Sequence, residues 1–244
     1  MPAPSGWPAS LSLIRHAQSA GNVANDAALA SGLAELDIAT RDMDVPLSDL
    51  GRRQAAALGS WFASRACPPS IVWCSPYQRA VDTATTALDH AGLSVPVRLD
   101  ERLREREFGV LDRLTRVGIE TRFPEQAAAR AFLGKFFHRP PGGESWADVA
   151  LRVRAFLTDL RLDHAGDHVV VVTHQAVIML FRYVLDGLSE PELLAVDRAI
   201  EIANTAVGSW VADGRRMRMV SFNDADHVAP EATTDAPDVP AAPR

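Results

Sequence analysis

Unbroken apolar runs alternate with helical periodicity along most of this chain. The runs at 11–15 (LSLIR), 70–75 (SIVWCS) and 168–173 (HVVVVT) lack polar alternation. That is the pattern of strands covered on both faces. A shorter run at 95–99 (VPVRL) predicts a fourth strand. Two later segments, AVGSWVAD and RRMRMVSFN, flank an Asp-Gly pair and predict a hairpin.

Helices fall between these runs. In PLSDLGRRQAAALGSWFASRA, Ser48 is a candidate N-cap, and Leu50, Ala57, Leu58, Trp61 and Phe62 fall near one face. PYQRAVDTATTALDHAG opens with proline and ends at Gly92, a stop signal. SWADVALRVRAFLTDLRL repeats Trp146, Val149, Val153, Phe156, Leu157 and Leu160 at helical spacing, and QAVIMLFRYVLDG directly follows the 168–173 run. Strands alternating with helices predict an α/β fold: a three-layer sandwich with a mostly parallel central sheet, a small helical cap insert and a C-terminal hairpin. The cap is expected at about 105–143, over the carboxyl ends of the strands, within a single domain spanning 1–223. The segment 224–244 is rich in Pro, Ala and Asp and predicts disorder.

Composition narrows the function classes. A net charge of −6 argues against nucleic acid as a partner. No run approaches the ~20 apolar residues of a membrane span, and the N-terminus shows no leader pattern, so a cytoplasmic protein without membrane contact is expected. Cys67 and Cys74 form no CxxC pair, which suits a reducing compartment. Neither a metal nor another cofactor is expected. The pair His164 and His168 lacks further ligand spacing and reads as a solvated turn. Ser145, in GGESWA, follows no strand and reads as a helix start rather than a nucleophile elbow.

Ligands of open α/β sheets bind at the carboxyl ends of the strands. Arg15 and His16 end the first run, Arg79 opens the helix after the second, and His174 ends the 168–173 run. Glu105 follows the 95–99 run closely. Arginines that never deprotonate can neutralise a phosphoryl group, a histidine can attack it, and a carboxylic acid can protonate the leaving oxygen. The set points to phosphoryl transfer through histidine.

These segments resemble the histidine phosphatase superfamily, in its phosphoglycerate-mutase-like branch. RHAQSAGN is similar to its Arg-His-Gly-Glu-Ser signature. PLSDLGRRQA, SPYQRAVDTA, EREFG, PPGGESWADVALRV and VVVVTHQA follow in the family's order, over about 10–210. The resemblance implies His16 as the phosphorylated nucleophile, with Arg15, Arg79 and His174 on the phosphoryl oxygens and Asn22 assisting. It implies Glu105, four residues before Gly109, as acid and base, with Glu107 as its rival. Ser19, Arg106 and Gln175 are further candidate contacts to phosphate or substrate.

Two departures bear on activity. Ala17 and Gln18 replace Gly-Glu after the nucleophile, so a competent loop requires an ordinary negative φ at Ala17. The cap carries Arg113, Arg116, Arg122, Arg130, Lys135 and Arg139 but no adjacent arginine pair of the mutase kind. The expected activity is therefore hydrolysis of a small-molecule phosphate monoester. A phosphomutase and an inactive phosphate-binding module are the alternatives.

Overall fold

The computed structural model describes residues 6–235; the ends of the chain, including part of the tail expected to be disordered, lie outside them. Six strands form one mixed sheet: β1 (Ser10–Arg15), β2 (Ile71–Cys74), β3 (Val97–Leu99), β4 (His168–Thr173), β5 (Val207–Asp213) and β6 (Arg216–Asp224). Their order is β3-β2-β4-β1-β5-β6. The first four are mutually parallel, and the β5–β6 hairpin adds an antiparallel edge beside β1. β3 is shorter than its apolar run. Pro96 has no N–H to give, although its carbonyl accepts from Val72 at 3.0 Å.

Among the described residues the helices are α1 (Ala20–Ala30), α2 (Asp49–Ala63), α3 (Gln78–Ala91), α4 (Arg116–Arg122), α5 (Pro124–Phe137), α6 (Trp146–Asp163), α7 (Gln175–Leu185) and α8 (Glu190–Ala199). The alternation of side chains along a strand sorts them into two layers. Leu11 and Leu13 of β1 and Val169 and Val171 of β4 face α6, α7 and α8, packing with Phe156, Phe181 and Leu193. Ile14, Val170 and Val172 face the other way, onto Leu58 and Phe62 of α2 and Ala84 and Leu88 of α3. Each buried Leu, Ile, Val or Phe side chain among these contributes about 1.5–3 kcal/mol. Both faces must be apolar, which is why the central strands carry unbroken apolar runs.

The helix ends follow local chemistry. Ser48 accepts the Gly51 N–H at 2.9 Å, and Gly92 closes α3 with φ of 65°. Ser145 caps α6 in a reciprocal box with Asp148, the helix-start role expected for it. α1 and α8 lie outside the predicted helices.

The segment between β3 and α6 holds α4 and α5, the latter kinked at Gly134. A small cluster of Leu111, Leu114 and Ile119 gives it an apolar centre of its own. His164 is buried rather than solvated: it accepts from the Trp73 indole at 3.3 Å and pairs with Asp167 at 2.9 Å. Residues 225–235, part of the expected disordered tail, also pack on the domain. Val228 is buried, and Thr234 donates to the Asn204 side chain at 2.8 Å. A few specific bonds hold this segment where its composition supplies almost no apolar drive.

Candidate active site

The register of two strands creates the centre of the site. Arg15 of β1 pairs with Thr173 of β4, and the His16 N–H donates to the Thr173 carbonyl at 2.9 Å. The residues that follow, His16 and His174, therefore leave adjacent parallel strands side by side. Their rings meet edge to face with centroids 5.0 Å apart, and both are wholly buried.

His16 Nδ1 lies 2.7 Å from the carbonyl oxygen of Ala17. A carbonyl only accepts, so Nδ1 carries the proton and Nε2 carries the lone pair. Arg79 of α3 donates its Nε–H to that Nε2 at 3.3 Å. His174 shares a 2.8 Å hydrogen bond through Nε2 with the Ser75 hydroxyl at the end of β2. The Tyr77 ring stands edge-on to His174, with its centroid 5.2 Å away, and Arg79 lies over its face at 5.0 Å.

The nucleophile loop is held from several sides. Thr83 accepts the Ala17 N–H at 3.0 Å and donates to the Arg79 carbonyl at 2.6 Å, tying the loop to α3. Asn204 donates to the His16 carbonyl at 2.9 Å, and Gln54 of α2 accepts the Gln18 N–H at 2.8 Å. Thr205, with φ of 63°, gives its N–H to the Arg15 carbonyl at 3.1 Å. The described non-glycine residues with positive φ are Arg113, Thr205 and Asn223, so Ala17 keeps an ordinary backbone. Its methyl packs with Leu47 and Ala55. Sequence reading missed Thr83, Gln54 and Asn204. Only Thr83 carried a local signal, standing one helical turn after Arg79.

Arg15 is buried and donates to the Ile202 carbonyl at 2.5 Å. Such buried cations need anions or acceptors to offset their lost hydration, and they mark functional sites. Ser19 and Asn22 form a reciprocal capping box that opens α1, with the Asn22 side chain accepting the Ser19 N–H at 2.9 Å. Gln175 is half-buried as the first residue of α7.

The segment after β3 crosses the end of β4, where Thr173 donates to the Leu103 carbonyl at 2.7 Å. Glu105 is buried there, and one carboxylate oxygen accepts the Arg106 N–H at 2.7 Å. Glu107 is 45% exposed and accepts from the Tyr77 hydroxyl at 2.8 Å. Burial, then this carboxylate, pushes the Tyr77 phenol up from its ordinary pKa. Arg106 turns toward the cap, donating to the Glu144 carbonyl at 2.7 Å and the His138 carbonyl at 3.3 Å. Burial, then Arg130, pushes it down to about 10.

The histidine phosphatase superfamily (branch 1) matches residues 11–225. The chain belongs to that superfamily. A 2,3-bisphosphoglycerate-dependent phosphoglycerate mutase of Gloeobacter violaceus is 32% identical over 208 residues, 84% of this chain and 87% of that one. A bifunctional protein of Mycobacterium tuberculosis is 35% identical over 169 residues, 69% of this chain. A 6-phosphofructo-2-kinase/fructose-2,6-bisphosphatase of Gallus gallus is 34% identical over 148 residues, 60% of this chain. The chain spans 44% and 29% of those last two proteins. Among solved structures, a mycobacterial glucosyl-3-phosphoglycerate phosphatase superposes with a TM-score of 0.69 at 28% identity, covering 88% of this chain and 98% of that one. This member of the superfamily thus has both phosphatases and a phosphomutase among the proteins it resembles. No helix among its described residues is long and apolar enough to cross a membrane.

Proposed function

We propose that this histidine phosphatase hydrolyses a small-molecule phosphate monoester through a phosphohistidine on His16, with no metal required. The observation that carries the reading is the Nδ1 hydrogen bond of His16 to Ala17 at 2.7 Å, which fixes the lone pair on Nε2 beside Arg79. Nε2 attacks phosphorus in line while the bond to the ester oxygen breaks. Glu105, as the carboxylic acid, gives that oxygen its proton. Water then attacks the phosphohistidine, Glu105 takes the water's proton, and the P–N bond breaks to release phosphate. Arg15, Arg79 and the His174 ring stabilise the equatorial oxygens, a role that fixed positive charge performs without a metal.

The cap favours hydrolysis over a mutase reaction. Arg113 donates to the Ile38 carbonyl at 3.0 Å, Arg116 pairs with Glu120 at 2.6 Å, and Arg122 pairs with Glu35 at 2.6 Å. Lys135 pairs with Asp197 at 2.5 Å, and Arg139 pairs with Asp148. Four of these contacts tie the cap to the rest of the domain and the Arg116 pair lies within it; Arg130 lines a cavity with Arg116 and Lys135. The mycobacterial glucosyl-3-phosphoglycerate phosphatase supports the same direction.

Incubation with p-nitrophenyl phosphate in chelator tests the reading. Turnover and an acid-labile phosphoenzyme, both lost in His16→Ala, are expected. A folded wild type that gives neither, and behaves as His16→Ala does, sinks it. A screen over sugar phosphates, phosphoglycerates and nucleotides then assigns the leaving group.

A further inference from the structure

The phosphoryl chemistry proposed above asks Arg79 to present a fixed edge to the nucleophile, and a guanidinium has two usable edges. Its Nη1–Nη2 end and its Nε–Nη2 side can each grip an anion in bidentate fashion. The end is occupied by a carboxylate from a distant part of the chain. Arg79 Nη1 donates to the Asp42 carbonyl at 2.6 Å and to Oδ1 at 3.0 Å, and Nη2 donates to Oδ2 at 3.3 Å. The side edge faces the nucleophile, through the Nε–H bond to His16 Nε2 at 3.3 Å. We propose that Asp42 is a positioning residue, which takes the outer end of the Arg79 guanidinium and so keeps its Nε–Nη2 edge toward the phosphoryl group on His16.

Placement of Asp42 supports this role. Asp42 opens a short 3-10 turn, Asp42–Asp44. The chain after the turn is anchored on the nucleophile loop: the Ala20 N–H donates to the Pro46 carbonyl at 2.9 Å, and the Ser48 N–H donates to the Gln18 carbonyl at 3.0 Å. Asp42 therefore belongs to the same framework as His16, and the pair sets Arg79 in that frame. The Arg79 side chain is 2% exposed and that of Asp42 31%, so the guanidinium is desolvated while the carboxylate stays partly hydrated. A desolvated cation whose counter-charge is removed reorients toward any other acceptor. Asp42 holds the edge away from His16, so it blocks no donor that the phosphoryl group needs.

A double-mutant cycle tests the assignment. Asp42→Ala, Asp42→Asn, Arg79→Lys and Asp42→Ala/Arg79→Lys are compared with wild type by kinetics on p-nitrophenyl phosphate and by calorimetric binding of inorganic phosphate, after thermal scans confirm folding. Asp42→Ala is expected to lower kcat roughly tenfold to a hundredfold with a smaller change in KM, as for a misplaced catalytic group. Asp42→Asn keeps an acceptor and falls between. In the Arg79→Lys background there is no fork to align, so the added loss shrinks to less than about twofold. An undiminished loss in that background overturns the proposal, because Asp42 then only holds its turn. A gain in kcat/KM and in phosphate affinity for Asp42→Ala also overturns it, because Asp42 is then a plug. If wild type binds phosphate but hydrolyses nothing, the hydrolase reading falls and the phosphate affinities of the same cycle decide Asp42. If wild type does neither, both fall.

Discussion

Gly51, in the first turn of α2, packs so closely on the nucleophile loop that a Cβ there would stand 1.9 Å from the Gln18 carbonyl oxygen. Gln18 lies two residues beyond His16, and its carbonyl also accepts the Ser48 N–H. Gly51→Ala must push α2 and the loop apart. Overpacking of this kind costs about 1–3 kcal/mol. The expected outcome is a lower melting temperature together with a fall in kcat on p-nitrophenyl phosphate. A variant with wild-type values of both would refute the close approach.

Ala17 tests the same loop from the opposite direction. Its φ is not positive, and its methyl sits against Leu47 and Ala55, away from the work of the His16 ring. Ala17→Gly restores the residue usual in the family and leaves the Nδ1 hydrogen bond, which uses only the backbone carbonyl. We expect kcat to change little, while stability falls by about 0.4–1 kcal/mol from added chain entropy. A large gain in kcat would mean that alanine impairs the site.

How far the sequence was legible follows from the same contacts. β1, β2 and β4 announce themselves because burial on both faces demands apolar runs, and their ends located Arg15, His16 and His174. α8 carried a signal in Ser189 and Glu192, which form its capping box. Asp42 carried none. It meets Arg79 across 37 positions, and Asn204 meets His16 across 188, so no local pattern records either contact. Composition misjudged 225–235 for a related reason. The Gln54 side chain donates to the Ala232 carbonyl at 2.7 Å and to Thr234 at 2.9 Å, and such single bonds leave no periodic trace.

Glu105 and Glu107 stand two residues apart yet in opposite environments, which separates their expected effects. Glu105 is 3% exposed, whereas the Glu107 side chain is 45% exposed and shares its charge with Tyr77 and Arg104. Glu105→Gln removes the transferable proton and should lower kcat by about a hundredfold to ten-thousandfold while abolishing the pH dependence of leaving-group protonation. Glu107→Gln should cost no more than a few-fold. The gap should narrow for p-nitrophenyl phosphate, whose phenolate leaves without a proton, and widen for alkyl phosphates. Equal losses on an alkyl phosphate would contradict the assignment.

Stability should fall as the solution is acidified below neutrality. Burial pushes His227 below its ordinary pKa of 6.5, against the opposing pull of Asp224 and Asp226. Burial, then Arg130 and Arg106, pushes His138 below the same value. In this window the unfolded chain binds protons that the folded chain refuses, so unfolding free energy rises with pH there. The contribution is complete above about pH 6.5. It declines as pH falls below that value, until the folded-state pKa is reached. Asp148 acts elsewhere: despite desolvation, bonds from Arg139 and Ser145 hold it at about 2, so its contribution is lost only in strong acid. The Thr205 hydroxyl donates to the Asn204 carbonyl at 2.6 Å and so accepts from His227 Nε2–H at 3.2 Å, a bond that protonation of the ring keeps; the acid sensitivity arises from burial of the charged ring. Urea unfolding at pH 7.5, 6.5 and 5.5 should give falling midpoints at constant slope, and His227→Gln should flatten the series. Midpoints that stay level from pH 7.5 to 5.5 in the wild type would show that neither imidazole is held neutral.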